Sequence, residues 1–319
     1  MFSEVKLLPI GQVGVVKLEV PVYTVGRGKP ILGITCSIHG DEYGGIFVIA
    51  RLIDYLKSVE KINGTIHIVL TANPAAQFVN KRVSLLDFKD LNRVGRGNKS
   101  GTLTDRLAAN LVEFLSECDF VVNLHEFQMH SPLIAAFIEA GSNHTLVQSL
   151  EAIRVFSPDI IWFIDPYSDD ESQYRQTVDV TLAELGVPNF PIETTQLSLL
   201  PEAETSRAAF GLLRVAAHLG VCKLPYEVST QLPPVYRRLA MTADKAGLWE
   251  PECKIMQIVE AGERLGVIRT ITDFQNTSVE SPRRAVLIQY RHRDLVATGT
   301  EILSLGIDTS ARLHRYLEE

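Results

Sequence analysis

The chain has 319 residues, of which 46% are hydrophobic and 22% are charged, as in a globular protein with a sizeable core. Its net charge of −7 is modest, and acids and bases are mixed along the chain, which argues against a nucleic-acid-binding protein. The four cysteines lie far apart, so they predict reduced thiols rather than a disulfide scaffold. With neither a signal-peptide pattern nor an apolar run of ~18 residues, we expect a cytoplasmic protein without a membrane partner.

Strands and helices alternate along the first part of the chain. The apolar spacing predicts strands at 14–25, 31–36, 65–74, 120–125, 160–164 and 189–194, and helices at 46–59, 105–118, near 171–185 and near 204–219. Thr104 is the expected N-cap of the predicted helix at 105–118. Residues 80–101 are polar, basic and glycine-containing, which predicts a long loop, and loops of this kind are often functional. This alternation favours an α/β fold with a mostly parallel sheet covered by helices.

The character of the sequence changes after about residue 225. Short β-leaning segments follow at 254–259, 264–271, 285–290 and 301–305, separated by turn residues, and a short helix is expected at 309–317. We therefore predict an α/β domain at residues 1–230 and a small all-β domain at residues 231–319.

Metal-binding residue types stand at the ends of two predicted strands. His39 and Glu42 lie three apart in the sequence HGDE, directly after the apolar run 31–36, and His125 ends the run VVNLH. The carboxyl ends of parallel strands are where α/β proteins build their sites. Imidazole nitrogen and carboxylate oxygen both suit zinc, and a catalytic zinc takes three protein ligands and one open position. The pattern predicts a zinc site, with packed structural histidines as the alternative.

The stretches HGDEYGG, ANPAAQFVNKR, DLNR, NLH and VPNFPIE occur in this order, and a later segment begins AGLWEP. Together they resemble the succinylglutamate desuccinylase/aspartoacylase family, a branch of the zinc carboxypeptidase-like fold. The resemblance covers nearly the whole chain. It implies a mixed, mostly parallel sheet flanked by helices, with a small C-terminal β domain that narrows access to the site.

The same resemblance assigns roles to individual residues. It implies that His39, Glu42 and His125 bind one Zn²⁺ per chain, and that Glu193, in the sequence PIETT, is the general base and acid. A carboxylate beside an activated water can take its proton and pass it to the leaving amine. The alternative for Glu193 is an ordinary surface glutamate.

The long basic loop at residues 80–101 contains the residues that we expect to contact the substrate. By resemblance, Arg82 stabilises the oxyanion, while Asn92 and Arg93 grip a substrate carboxylate, for which the planar guanidinium is well suited. The alternative is a solvated basic loop. The chain departs from the family pattern at Asn123, where aspartate is common, and at Glu126, where a small hydroxyl residue is common. In the family the base motif usually reads Glu-x-Gly, whereas here Glu193 is followed by Thr194, Thr195 and Gln196. We expect these departures to affect which substrate is bound rather than the class of reaction.

The leading hypothesis is a zinc-dependent deacylase that hydrolyses the amide of a small N-acylated amino acid or related acyl-amine. One alternative is a zinc carboxypeptidase acting on short peptides, and another is a non-catalytic binding protein of the same fold. Cobalt or manganese would also suit these ligands. Exposed strands in the small β domain could pair with a second copy of the chain, so a homo-oligomer is a further expectation.

Overall fold

A large mixed β-sheet runs through the computed structural model, which describes residues 2–224, 231–314 and 316. In chain order the strands are β1 (Glu4–Val13), β2 (Val16–Gly26), β3 (Ile31–Cys36), β4 (Thr65–Val69), β5 (Phe120–Glu126), β6 (Ile134–Ile138), β7 (Ile160–Ile164), β8 (Asn189–Thr194), β9 (Val235–Thr242), β10 (Gly247–Pro251), β11 (Ile258–Val259), β12 (Arg264–Arg269), β13 (Asn276–Glu280), β14 (Ala285–Tyr290), β15 (Asp294–Val296) and β16 (Glu301–Asp308). Twelve of them form one sheet in the order β1-β2-β4-β3-β5-β8-β6-β7-β9-β16-β14-β11. The other four form a second sheet, in the order β13-β12-β10-β15.

Helices cover both faces of the large sheet. They are α1 (Gly44–Ser58), α2 (Pro74–Phe78), α3 (Leu103–Leu115), α4 (Asn143–Phe156), α5 (Val178–Glu184), α6 (Glu202–His218) and α7 (Ser310–His314), with 3-10 helices at Leu91–Arg93, Ser172–Tyr174 and Leu197–Leu199. Apolar residues of α1, α4 and α6 pack on one face, and those of α3 and α5 pack on the other. Every residue of β5, at the centre, is consequently buried. None of the described helices is long and apolar enough to cross a bilayer.

The mixed α/β architecture is confirmed, with parallel pairing in two blocks. Strands β4, β3, β5 and β8 are parallel neighbours, β6 pairs antiparallel with β8, and β6, β7 and β9 are again parallel. Strands β9, β16, β14 and β11 then extend the same sheet in antiparallel fashion. The C-terminal β region therefore shares a sheet with the α/β part. The predicted boundary at residue 230 stays a prediction, since residues 225–230 lie outside the described residues.

Most predicted elements occur where the sequence placed them, and the exceptions have local causes. Thr102, rather than Thr104, precedes α3, and both its backbone N–H and its hydroxyl donate to Asp105 at 3.0 Å. Thr104 lies within the helix, where its N–H and hydroxyl donate to Asp87 at 2.8 and 2.7 Å.

Several other predicted elements are shorter than expected, among them the strand at 65–74, which ends at Val69. The helix near 171–185 resolves into a 3-10 turn followed by α5, and the strand at 254–259 reduces to β11. The helix at 309–317 is described as α7, and residues 315 and 317 of that prediction lie outside the described residues. The predicted cytoplasmic location and self-association stay predictions.

Candidate metal and catalytic site

Three buried side chains meet at the carboxyl end of the parallel strands. His39 and Glu42 lie in the turn after β3, and His125 lies in β5, which pairs with β3 in parallel. The Nδ1 atom of His39 is 2.6 Å from Oε1 of Glu42, and Nδ1 of His125 is 2.9 Å from its Oε2. One ligand atom from each residue lies within 4.8 Å of the others. Two nitrogens and a carboxylate oxygen at this spacing can hold one metal ion.

Asp90 fixes the orientation of the first histidine. Its Oδ1 lies 3.2 Å from Nε2 of His39 and also accepts the N–H of Asn92 at 2.8 Å. A carboxylate on the distal nitrogen of a metal-binding histidine selects the tautomer that leaves the other nitrogen free to coordinate. The Nε2 atom of His125 is buried and has no hydrogen-bond partner among the described residues. The donor set and the support of His39 thus fit a metal ion.

The charges of the cluster depend on one another. Burial opposes protonation of His39, but the Glu42 carboxylate and the hydrogen bond to Asp90 outweigh it, so the pKa of His39 is raised. The pKa of His125 is raised in the same way, again through Glu42. Burial by itself would raise the pKa of Glu42, but the two histidines lower it well below its usual range. Glu42 is therefore an ionised carboxylate at neutral pH, as a metal ligand must be.

Glu193 lies beside this cluster on the adjacent strand. In the parallel pairing of β5 with β8, Glu193 is the direct neighbour of His125. The residue is partly buried, and loss of hydration, reinforced by the nearby Glu42 charge, raises the pKa of its carboxyl to about 8, although His125, Arg238 and Arg82 oppose this. A carboxyl with such a pKa exchanges its proton near neutral pH.

The predicted substrate contacts lie around the same centre. Nε of Arg82 donates to Asp90 at 3.0 Å, and its Nη1 lies 3.7 Å from Oε1 of Glu42. Oδ1 of the buried Asn92 accepts the N–H of Val178 at 2.8 Å, which leaves the amide nitrogen as the group available to a ligand. Arg93 is partly exposed and is not in an ion pair with any described residue. All the predicted site residues line one cavity of about 280 Å³.

The catalytic-domain model of the Succinylglutamate desuccinylase/Aspartoacylase family matches residues 29–219, more than half of the chain. The chain belongs to this family. A curated relative, the N-alpha-acetyl-L-2,4-diaminobutyric acid deacetylase of Halomonas elongata, is 34% identical over 108 residues, which are 33% of this chain and 31% of the relative. That alignment spans about a third of either protein.

Solved structures share the fold over nearly the whole chain. A succinylglutamate desuccinylase from Silicibacter sp. TM1040 superposes with a TM-score of 0.81 at 19% identity and covers 95% of this chain and 93% of its own. The product-bound ectoine utilization protein EutE (DoeB) from Ruegeria pomeroyi gives 0.80 at 20% identity, covering 91% and 90%. At these identities the likeness concerns the fold.

Two residues that the sequence analysis singled out as departures from the family pattern, Asn123 and Glu126, have defined contacts. Glu126 accepts the backbone N–H groups of Gly44 at 2.7 Å and Leu197 at 2.7 Å, so its carboxylate joins the start of α1 to the segment after β8. Asn123 donates from its side chain to the buried carboxylate of Asp179. Asp179 itself lines the cavity, and burial raises its pKa. An acidic side chain from α5 thus lies directly beside Asn123.

Several residues in or beside the cavity were not expected from the sequence. Asp90 stands in the DLNR motif, so a signal was present, but its bond to His39 was not anticipated. Arg238 and Glu301 reach the cavity from β9 and β16, and no local motif marks them. The aromatic wall was also missed; it consists of Phe127, Trp162 and Tyr174.

Proposed function

We propose that the protein is a zinc-dependent hydrolase that cleaves the amide bond of a small N-acylated amino acid. The observation that carries the proposal is the pairing of Glu193, a carboxyl with a pKa of about 8, directly beside His125 of the buried His39–Glu42–His125 cluster. A base poised near neutral pH next to a three-ligand metal site is the arrangement that hydrolysis by an activated water requires.

His39, Glu42 and His125 would hold the metal, since their donor set leaves a tetrahedral ion one open position. When bound, zinc supplies a Lewis acid that polarises the scissile carbonyl and lowers the pKa of a water. Asp90 keeps His39 in the coordinating tautomer. The family and the deacetylase relative support hydrolysis of an amide as the reaction.

Glu193 would carry the proton. Its ionised carboxylate takes a proton from the attacking water, and the resulting carboxylic acid donates that proton to the nitrogen of the leaving amine. Both steps need a pKa near the working pH, and the burial that raises the pKa of Glu193 in the metal-free protein acts in that direction.

Arg82, Asn92 and Arg93 would bind and polarise the substrate. The Arg82 guanidinium lies next to Glu42 and is steered by Asp90, so it can stabilise the negative charge that develops on the acyl oxygen. Arg93 is free of an anionic partner among the described residues and can therefore take the substrate carboxylate, with the Asn92 amide as a second donor.

The test is amide hydrolysis and metal content measured on the same preparations. We expect about one zinc per chain, turnover of N-acetyl amino acids, and a loss of turnover of roughly 10²-fold or more in Glu193→Gln with zinc retained. His125→Ala should lose both zinc and turnover. The matched control is Glu60→Gln, an exposed glutamate outside the cavity, which should behave as the wild type.

Two outcomes would replace the proposal. Faster cleavage of short peptides than of N-acetyl amino acids would identify a carboxypeptidase. Full zinc occupancy without turnover of either class would identify a binding protein that has kept the fold. Reconstitution with cobalt or manganese would show whether zinc is the preferred ion.

A further inference from the structure

The cavity continues from the metal cluster along one face of the large sheet. In the register of the sheet, His125 of β5 stands beside Glu193 of β8, and Glu193 stands beside Ile134 of β6. Because side chains alternate along a strand, the face that carries Glu193 also carries Ala136 and Ile138. These pair with Trp162 and Ile164 of β7. This side of the cavity is accordingly apolar.

Strand β9 extends the same face into the C-terminal region. Trp162 pairs with Tyr236 of β9, so Arg238, two residues further on, points to the same side. Its guanidinium carbon lies 5.5 Å from the ring centre of Trp162 and 5.6 Å from that of Phe127. A slip of one residue in the register would move Arg238 to the opposite face. The sheet thus places the guanidinium of Arg238 at the far end of the apolar face that Ala136, Ile138, Trp162 and Ile164 form.

Arg238 is already neutralised. Its Nε donates to Gln289 at 2.8 Å and to Ser304 at 3.0 Å, and its Nη2 donates to the carboxylate of Glu301. Glu301 is held in turn by the Ser304 hydroxyl at 2.6 Å. Both charged side chains are mostly buried, with 14% and 28% of their surfaces exposed. A buried pair of this kind presents almost no net charge to a ligand.

Arg93, unlike Arg238, forms no ion pair with any described residue. Its guanidinium carbon lies 5.5 Å from the ring centre of Tyr174, and that ring lies 5.5 Å from the ring of Trp162. A series of aromatic rings therefore connects Arg93, which has no ion-pair partner among the described residues, to the ion-paired Arg238. An amino acid whose carboxylate sits on Arg93 has this wall beside its side chain. The wall offers apolar contact and, at its end, a neutralised ion pair.

We propose that the cavity selects an amino-acid moiety with an uncharged, largely apolar side chain, and that Glu301 excludes acidic side chains by holding Arg238. This inference rests on the proposed function, in which Arg93 binds the α-carboxylate of the substrate. A side-chain carboxylate would meet the Glu301 charge, and apart from Arg93 the arginines that line the cavity in the described part of the chain are already ion-paired. An apolar side chain would instead bury itself against Ile138, Ile164 and Trp162. Removing the charge of Glu301 would free Arg238 to bind a carboxylate.

The experiment compares N-acetyl-methionine with N-acetyl-glutamate as substrates of the zinc-loaded protein. We expect the wild type to prefer N-acetyl-methionine by at least about tenfold in kcat/KM, a discrimination typical of one misplaced charge. In Glu301→Gln the ratio should shift toward N-acetyl-glutamate by a further tenfold or so. Glu280→Gln, an exposed glutamate on β13, is the matched control and should keep the wild-type ratio.

A second variant separates the charge effect from loss of structure. Replacing the pair together, as Arg238→Met with Glu301→Gln, removes the cation that would bind the acidic substrate. This double variant should retain the preference for N-acetyl-methionine. A gain of activity on N-acetyl-glutamate in the double variant would overturn the assigned role of Arg238.

Binding of free amino acids to the Glu193→Gln protein gives a readout that does not depend on turnover. We expect calorimetric titration to show tighter binding of methionine than of glutamate, with the difference reduced by adding Glu301→Gln. Such selectivity in binding, together with no hydrolysis by the zinc-loaded wild type, would leave this subsite standing and remove the proposed function. Equal binding and equal turnover of the two classes by the wild type would overturn the subsite.

Discussion

Replacement of Glu193 by glutamine should make the metal-free protein more stable at alkaline pH. The pKa of this carboxyl is about 8, against 4.5 in the absence of the fold. A group whose pKa is raised by folding contributes stability that is fully present below pH 4.5 and is lost as the pH rises through about 8. Glutamine resembles the protonated form at every pH, so the variant avoids this loss.

The size of the effect follows from the same two values. A difference of roughly 3.5 pH units at about 1.4 kcal/mol each corresponds to ~5 kcal/mol, of which about 4 kcal/mol develops between pH 5 and pH 9. Because Glu193 is partly buried rather than fully enclosed, water reduces this cost. We therefore expect Glu193→Gln to gain about 2–4 kcal/mol over the wild type between these two pH values.

Urea unfolding in the presence of a chelator measures the effect directly. The free energies of unfolding of wild type and Glu193→Gln would be compared at pH 5 and at pH 9, with Glu60→Gln as the exposed control. Ionisable groups that titrate in the same way in wild type and variant contribute equally to both free energies of unfolding, so their contribution cancels in the difference. A stability difference that does not change with pH would mean that Glu193 ionises as a solvated carboxyl, and the argument for a poised base would fail.

Three further perturbations test other parts of the structure. Asp90→Asn should lower zinc affinity by roughly 10- to 100-fold, measured by competition with a chelating dye, because the carboxylate partner of His39 is lost. Arg93→Lys should raise KM for N-acetyl amino acids about tenfold or more with a smaller change in kcat, and an equal fall in kcat would contradict a role in ground-state binding. Gly40→Ala should destabilise the protein by about 2 kcal/mol or more in thermal unfolding, since a Cβ there would lie 2.1 Å from the backbone carbon of Ala76. Unchanged unfolding of that variant would show that α2 moves aside freely.

Local features of the sequence were enough to bring His39, Glu42 and His125 together as a candidate metal site. The apolar run 31–36 forms β3, and the HGDE turn that follows holds His39 and Glu42. The run ending in NLH forms β5 and brings His125 to the same edge. This works because buried parallel strands are continuous apolar runs, and their carboxyl ends share one edge of the sheet. The spacing of His39 and Glu42 and the order of the strands were therefore sufficient to predict that these residues and His125 lie together.

The substrate side of the cavity was decided by the tertiary structure. Asp179 reaches Asn123 from α5, and Arg238 and Glu301 arrive from strands far along the chain, so no spacing in the sequence connects them to the ligands. The pairing of β9 with β7 determines that Arg238 faces the cavity. Which face a strand presents depends on its register with a distant partner, and that register is set by long-range packing rather than by local pattern. The sequence by itself therefore determined the family and the His39–Glu42–His125 cluster, while the fold decided what lines the rest of the cavity.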